Sequence, residues 1–167
     1  RCISSKKHSR PTSPSTEMKH PLALSALFAV LLSAAQAASA LDYVSVESSS
    51  AILYQADSLH SRKLYVVSRY MPLERVISSA SWVKVRDHAG TMAWVEKSAL
   101  SSKRYVMVTV AQASVRQSPE QNSAVAFQAA QHVALEWLGN AGGGWSKVRH
   151  QDGSAGYVKS SEVWGDE

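Results

Sequence analysis

The sequence predicts an all-β protein, built as two tandem copies of a small, partly open, five-stranded barrel behind a cleavable leader. Three observations predict it. The string WVKVRDHAGTMAWVEKSAL, starting at Trp82, returns without a gap as WSKVRHQDGSAGYVKSSEV, starting at Trp145. Short runs of β-branched and aromatic residues alternate with turns of Gly, Ser and Pro. Beyond the leader, no window of ten residues carries apolar side chains at helical spacing.

Residues 18–40 read as a signal peptide. Met18-Lys19-His20 is a short basic start, Pro21–Ala40 is apolar, and Ala38-Ser39-Ala40 has the small-residue form that a signal peptidase accepts. The strongly apolar part, Leu22 to Ala35, is shorter than the ~20 residues needed to span a bilayer, so no lasting membrane anchor is expected. Leu41 is the expected first mature residue. Residues 1–17, rich in Ser, Thr and Pro, read as a non-native or disordered upstream extension.

Removing the leader changes the electrostatics. Five of the 18 Lys+Arg lie before Leu41, but only one of the 13 Asp+Glu does, which leaves a surplus of a single positive charge. The basic character of the whole chain therefore gives no ground for a nucleic-acid partner. The single cysteine, Cys2, also falls in the leader. The mature protein then has neither a disulfide nor a thiolate nucleophile, as suits an exported protein.

The first unit is expected over residues 43–101 and the second over 105–166, opening at Tyr43-Val44 and Tyr105-Val106 and joined by Ser101–Arg104. In the first, AILY (51–54), KLYVVSRY (63–70), LERVI (73–77), WVKVR (82–86) and TMAWV (91–95) read as strands. Pro72 and the Ser-rich stretch 78–81 punctuate them, and GNAGGG (139–144) replaces that stretch in the second unit. DHAG (87–90) and HQDG (150–153) place Gly where a short hairpin needs positive φ. EKSAL and its counterpart KSSEV each read as one closing helical turn. The short joint favours docking of the units at an interface near Tyr105.

Period-two alternation sorts the repeated strand. Val83 and Val85 take one face, and Trp82, Lys84 and Arg86 the other; in the second unit Val148 faces the core, and Trp145, Lys147 and Arg149 share the opposite face.

Each unit resembles a bacterial SH3-type (SH3b) domain. The family pattern is an early Val-x-Arg-x-x-Pro segment, a W-x-K-V-R strand, a Gly turn, an aromatic-Val pair and a short closing turn. The second unit carries it as SVRQSP (114–119), WSKVR, DGSAGYV and KSSEV; the first keeps the later half but has ILYQADS (52–58) in place of the Arg segment. The resemblance spans nearly all of the chain after the leader. It implies two SH3-like barrels, of a kind usually found as targeting or ligand-binding modules in cell-envelope and wall-active proteins. Proline-helix recognition needs a trough of several aromatics and one Pro. Tyr54 and Trp82 occupy two such places, but Glu96 and Ala99 stand where the Pro and last Tyr belong, and Arg116, Lys159 and Glu162 occupy comparable places in the second unit.

No catalytic or cofactor set is legible. His60, His88, His132 and His150 show no spacing that a zinc site would use. Gly142–Gly144 enter a strand and lack the Lys-Ser/Thr of a phosphate loop. The serines serve turns, with no nucleophile-elbow pattern and no paired carboxylates. A non-enzymatic role is expected, with no metal and no cofactor. The candidate ligand-binding residues are Tyr54, Trp82, Lys84 and Arg86, with Trp145, Lys147 and Arg149: a flat aromatic flanked by two cations suits an anionic, partly apolar ligand. The other reading of those residues is structural: each ring closes a barrel mouth and serves packing, and Lys and Arg are ordinary outer-face residues. The expected protein is periplasmic or secreted and binds peptidoglycan fragments, peptides or an envelope protein; the alternative is a structural or accessory factor for an envelope complex or wall hydrolase, with no small ligand of its own.

Overall fold

The computed structural model of the chain describes residues 41–167, which belong to one compact unit. The expected leader and cleavage site lie outside the described residues, among which no helix is long and apolar enough to cross a membrane.

The fold is all-β, as the alternation predicts. Seven strands form the first sheet: β1 (Tyr43–Val46), β2 (Ser50–Tyr54), β3 (Lys63–Ser68), β4 (Pro72–Ser78), β5 (Trp82–Arg86), β6 (Met92–Glu96) and β7 (Leu100–Ser101). Seven more form the second: β8 (Tyr105–Val108), β9 (Gln112–Arg116), β10 (Val125–Ala130), β11 (Ala134–Gly142), β12 (Trp145–Arg149), β13 (Ala155–Lys159) and β14 (Val163–Trp164). The strand orders are β3-β2-β6-β5-β4-β1-β7 and β10-β9-β13-β12-β11-β8-β14. The two halves are thus topological copies. Neither sheet closes on itself; β3 and β7 remain edges in one, β10 and β14 in the other.

Five strands per unit are legible in the sequence; β1 and β7 complete the first sheet. β7 is only two residues long and follows the single 3₁₀ turn Lys97–Ala99, the counterpart of Ser160–Glu162 before β14. So short a strand carries no periodicity and exists because Ser101 and Leu100 pair with Ser45 and Val46 of β1.

Strand starts in the second sheet keep one displacement from those of the first as far as β4 and β11, then a displacement one residue longer. The extra residue sits in the β11–β12 hairpin. There β11 is bulged twice, between Trp137 and Gly139 and between Asn140 and Gly142, and Gly142, Gly143 and Gly144 all have positive φ. In the β4–β5 hairpin a single bulge and the Ser79 hydroxyl, bonded to the Trp82 backbone, do the same turning.

Alternation fills each core from one face of each strand. Val83, Val85 and Val95 pack with Val46, Leu53 and Leu73; Val148 and Val158 pack with Val106, Val108, Val115 and Leu135. Each such side chain contributes roughly 1.5–3 kcal/mol. Units this small stay marginal on their own cores, so contacts between them matter. Gly90 and Gly153 have φ of 85° and 94° and close equivalent hairpins, as their place in the sequence predicts. Two other residues with positive φ are not glycines: Tyr70 (70°) and His132 (66°), at equivalent corners ahead of β4 and β11. Their amides donate to Val46 O and Val108 O, a bond that fixes both corners.

The units meet where the chain passes from β7 to β8. Tyr43 and Tyr105, equivalent first residues of β1 and β8, both lie buried in this region. Tyr43 meets Trp164 edge-on at 5.2 Å, while Tyr105 stacks on Tyr70 at 4.6 Å. Arg104 lies 4.1 Å from the Trp137 ring and 5.3 Å from that of Tyr43, and its Nη2 donates to the carbonyls of Gly165 (2.6 Å) and Glu167 (2.7 Å). The Ser45 hydroxyl donates to Lys103 O. Tyr105 thus sits at the junction, where the short joint predicts it.

Candidate functional site

The Lys and Arg of the repeated W-x-K-x-R strand do the same work in both halves. In β5, Lys84 pairs in register with Trp94 of β6, and its Nζ lies 6.0 Å from that ring. In β12, Lys147 pairs with Tyr157 of β13, with Nζ at 5.9 Å. Arg86 faces Glu74 across the hairpin and binds its carboxylate through Nε at 2.6 Å. Arg149 faces Glu136 and grips both carboxylate oxygens at 3.0–3.1 Å. Glu74 is only 7% exposed, so Arg86 neutralises a carboxylate held out of water. The cations are therefore engaged inside each unit, a use that period-two patterning cannot reveal because the partners come from neighbouring strands.

The tryptophans are placed unequally. Trp82 is half-buried and meets Tyr54 edge-on at 5.4 Å, with Trp94 opposite Tyr54 in register on β6. The structure thus gathers Tyr54, Trp82 and Lys84 with Trp94, while Arg86 lies at the far end of β5 on Glu74. Trp145 is only 8% exposed. Its neighbour Ser146 is buried too, where its hydroxyl donates to Asp166 Oδ2 (3.0 Å) and accepts from the Trp137 indole (3.3 Å). Arg116, the residue equivalent to Tyr54, turns back and donates to Ser123 O, so no aromatic cluster forms in the second unit.

Trp94 joins this group although motif reading passes over it; its equivalence to Tyr157 was the available signal. Nor does spacing bring His88 and His132 together. Docking of the units places their rings 5.8 Å apart, with Trp164 6.4 Å from His88. Among the described residues no group of three or more His, Cys, Asp or Glu could hold a metal ion.

Two further cavities flank the Tyr70–Tyr105 stack. One, of about 210 Å³, adds Ser45, Glu47 and Arg69; the other, of about 350 Å³, adds Glu136, Arg149 and His150. Both share Lys103, whose Nζ is 3.1 Å from Glu136 and 5.5 Å from the Tyr105 ring. Partial burial alone would raise the Glu136 pKa, but the bonds from Lys103 and Arg149 outweigh it and hold the carboxyl below its ordinary range.

A family model described as the bacterial SH3 domain matches the chain twice, at residues 47–102 and 109–165. The chain belongs to the bacterial SH3 domain family. The two matched segments cover β2–β7 and β9–β14, while β1 and β8, the opening strand of each SH3 unit, lie just ahead of them. No curated protein matches significantly in sequence. Among solved structures, the chain is similar to NlpC2 of Trichomonas vaginalis (13% identity, TM-score 0.35), over 74% of this chain and 47% of that one. NlpC1 of the same organism gives 14% identity and a TM-score of 0.36, over 81% and 49%. An NlpC/P60 family protein of Bacillus cereus gives 13% and 0.35, over 72% and 55%. The tandem SH3 chain spans about half the length of each.

Proposed function

We propose that this is an exported, non-catalytic tandem SH3 protein of the bacterial cell envelope that binds peptidoglycan fragments, peptides or an envelope protein. The observation that carries this is the aromatic group of the first unit. Tyr54, Trp82 and Trp94 come from three neighbouring strands, with Lys84 over the Trp94 ring, and Trp82, Trp94 and Lys84 keep part of their surface in water. Stacking and cation–π contacts there contribute roughly 0.5–2 kcal/mol each. A single shallow site of this kind binds weakly. Membership of the bacterial SH3 family supports a binding role in the envelope.

A second reading, a structural or accessory factor without its own small ligand, is favoured by Arg86 and Arg149 being committed to internal carboxylates and by the burial of Trp145. Capture of the purified chain on isolated sacculi, released by soluble muropeptides, is the expected outcome for the first reading. Absence of capture, with a wall hydrolase or other envelope protein co-purifying instead, selects the second.

A further inference from the structure

Resting on the reading that the chain is a binding module, we propose that a second ligand site, besides the aromatic group of the first unit, lies in the groove between the two SH3 units, and that it takes a short peptide with a free carboxylate. The two cavities of about 210 and 350 Å³ share Tyr70, Lys103 and Tyr105 and lie on either side of the Tyr70–Tyr105 stack at the junction, where together they make up the groove. Sites at the seam between units are where pockets of this size concentrate.

Charge selects the ligand. Three cations line the groove: Arg69, Lys103 and Arg149. Two carboxylates, Glu47 and Glu136, oppose them. One positive charge is left over. Glu136 already receives both Lys103 and Arg149, whereas Arg69 lies exposed, 5.4 Å from the Tyr70 ring, its Nε on the Glu47 carbonyl. An incoming carboxylate therefore finds Arg69 and the remaining Lys103 protons on either side of the stack. Tyr70, half-buried and held in place by its fixed corner, offers an aromatic edge for the peptide body. The repeated strand faces, by contrast, offer Lys84 and Lys147 over rings of their own and arginines already paired.

The test is an NMR titration of the chain with N-acetyl-trialanine as the free acid and as the C-terminal amide. The free acid should shift Tyr70, Lys103 and Tyr105 resonances with millimolar affinity, and the amide should not. Lys103→Gln or, at a more peripheral position, Arg69→Gln should weaken the free acid at least about fivefold. Shifts confined to Trp82 and Lys84, or to Trp145 and Lys147, overturn the groove and leave a binding module with its site elsewhere. Equal response to acid and amide, or none to either, also overturns it. Sacculus capture is read separately: if it persists the binding role survives the loss of the groove, and if it fails as well both proposals fall.

Discussion

Tyr70 and Tyr105 stack across the joint between the two SH3 units, their centroids 4.6 Å apart and their planes inclined by 21°. The pair joins the positive-φ corner of the first unit to the opening strand of the second. Stacking adds ~0.5–1.5 kcal/mol beyond the area it buries. Tyr105→Ala should cost about 3–5 kcal/mol, as for other buried aromatics. Tyr70→Ala should cost less and should split urea unfolding into two transitions as the units uncouple. A single unchanged transition for Tyr70→Ala would show that the stack does not couple them.

Two glycines of the second unit should fail for different reasons. At Gly156, an added Cβ would stand 2.5 Å from Arg116 O and 2.7 Å from Val115 Cγ1, where backbone and core leave no room. At Gly153 there is open space, but φ is 94°. Gly153→Ala should cost about 1–2 kcal/mol from strain alone. Gly156→Ala should cost more, with core chemical shifts disturbed. Comparable costs, with the core spectrum intact, would contradict the clash.

The unequal burial of the equivalent tryptophans gives a paired measurement. Trp145→Ala should destabilise by about 3–5 kcal/mol, the cost of a buried aromatic, and half-buried Trp82→Ala by roughly half that. Chemical denaturation of the two variants decides it. Equal losses would mean that Trp82 carries as much of its core as Trp145 does.

Stability should fall at both ends of the pH scale. Burial, with Glu167 and Glu74 adding to it, pushes the Tyr43 hydroxyl from 10.0 up to about 12. Burial and its hydrogen bond to Asp87 raise Tyr65 as well. A folded pKa above the unfolded one gives stability that is complete below pH 10 and lost as pH climbs towards 12. Glu136 is shifted the other way, below 4.5, so its contribution is present above that value and lost as pH falls beneath it. Denaturation midpoints across the pH range should show both losses. Tyr43→Phe should flatten the alkaline limb, and Glu136→Gln the acid one.

Much of each unit was legible because the forces that shape it are local. Val83 and Val85 face the core and Lys84 the other way because successive residues of a strand must point oppositely. Gly90 and Gly153 sit where a hairpin demands positive φ. The closing 3₁₀ turns, too, were legible in short runs of neighbours. Tyr70 and His132 were not, since nothing in their own chemistry announces a left-handed corner.

The sequence by itself determined that this chain folds as two copies of a small β unit, which residues face each core, and which carry charge beside an aromatic. Tertiary structure alone decided what those charges do. Glu74 lies opposite Arg86 and Glu136 opposite Arg149 because hairpins pair them in register, and Tyr70 reaches Tyr105 and His88 reaches His132 because the units dock. Side-chain direction is set by a residue's immediate neighbours, whereas a hydrogen bond or a ring contact exists only once distant segments come within a few ångströms.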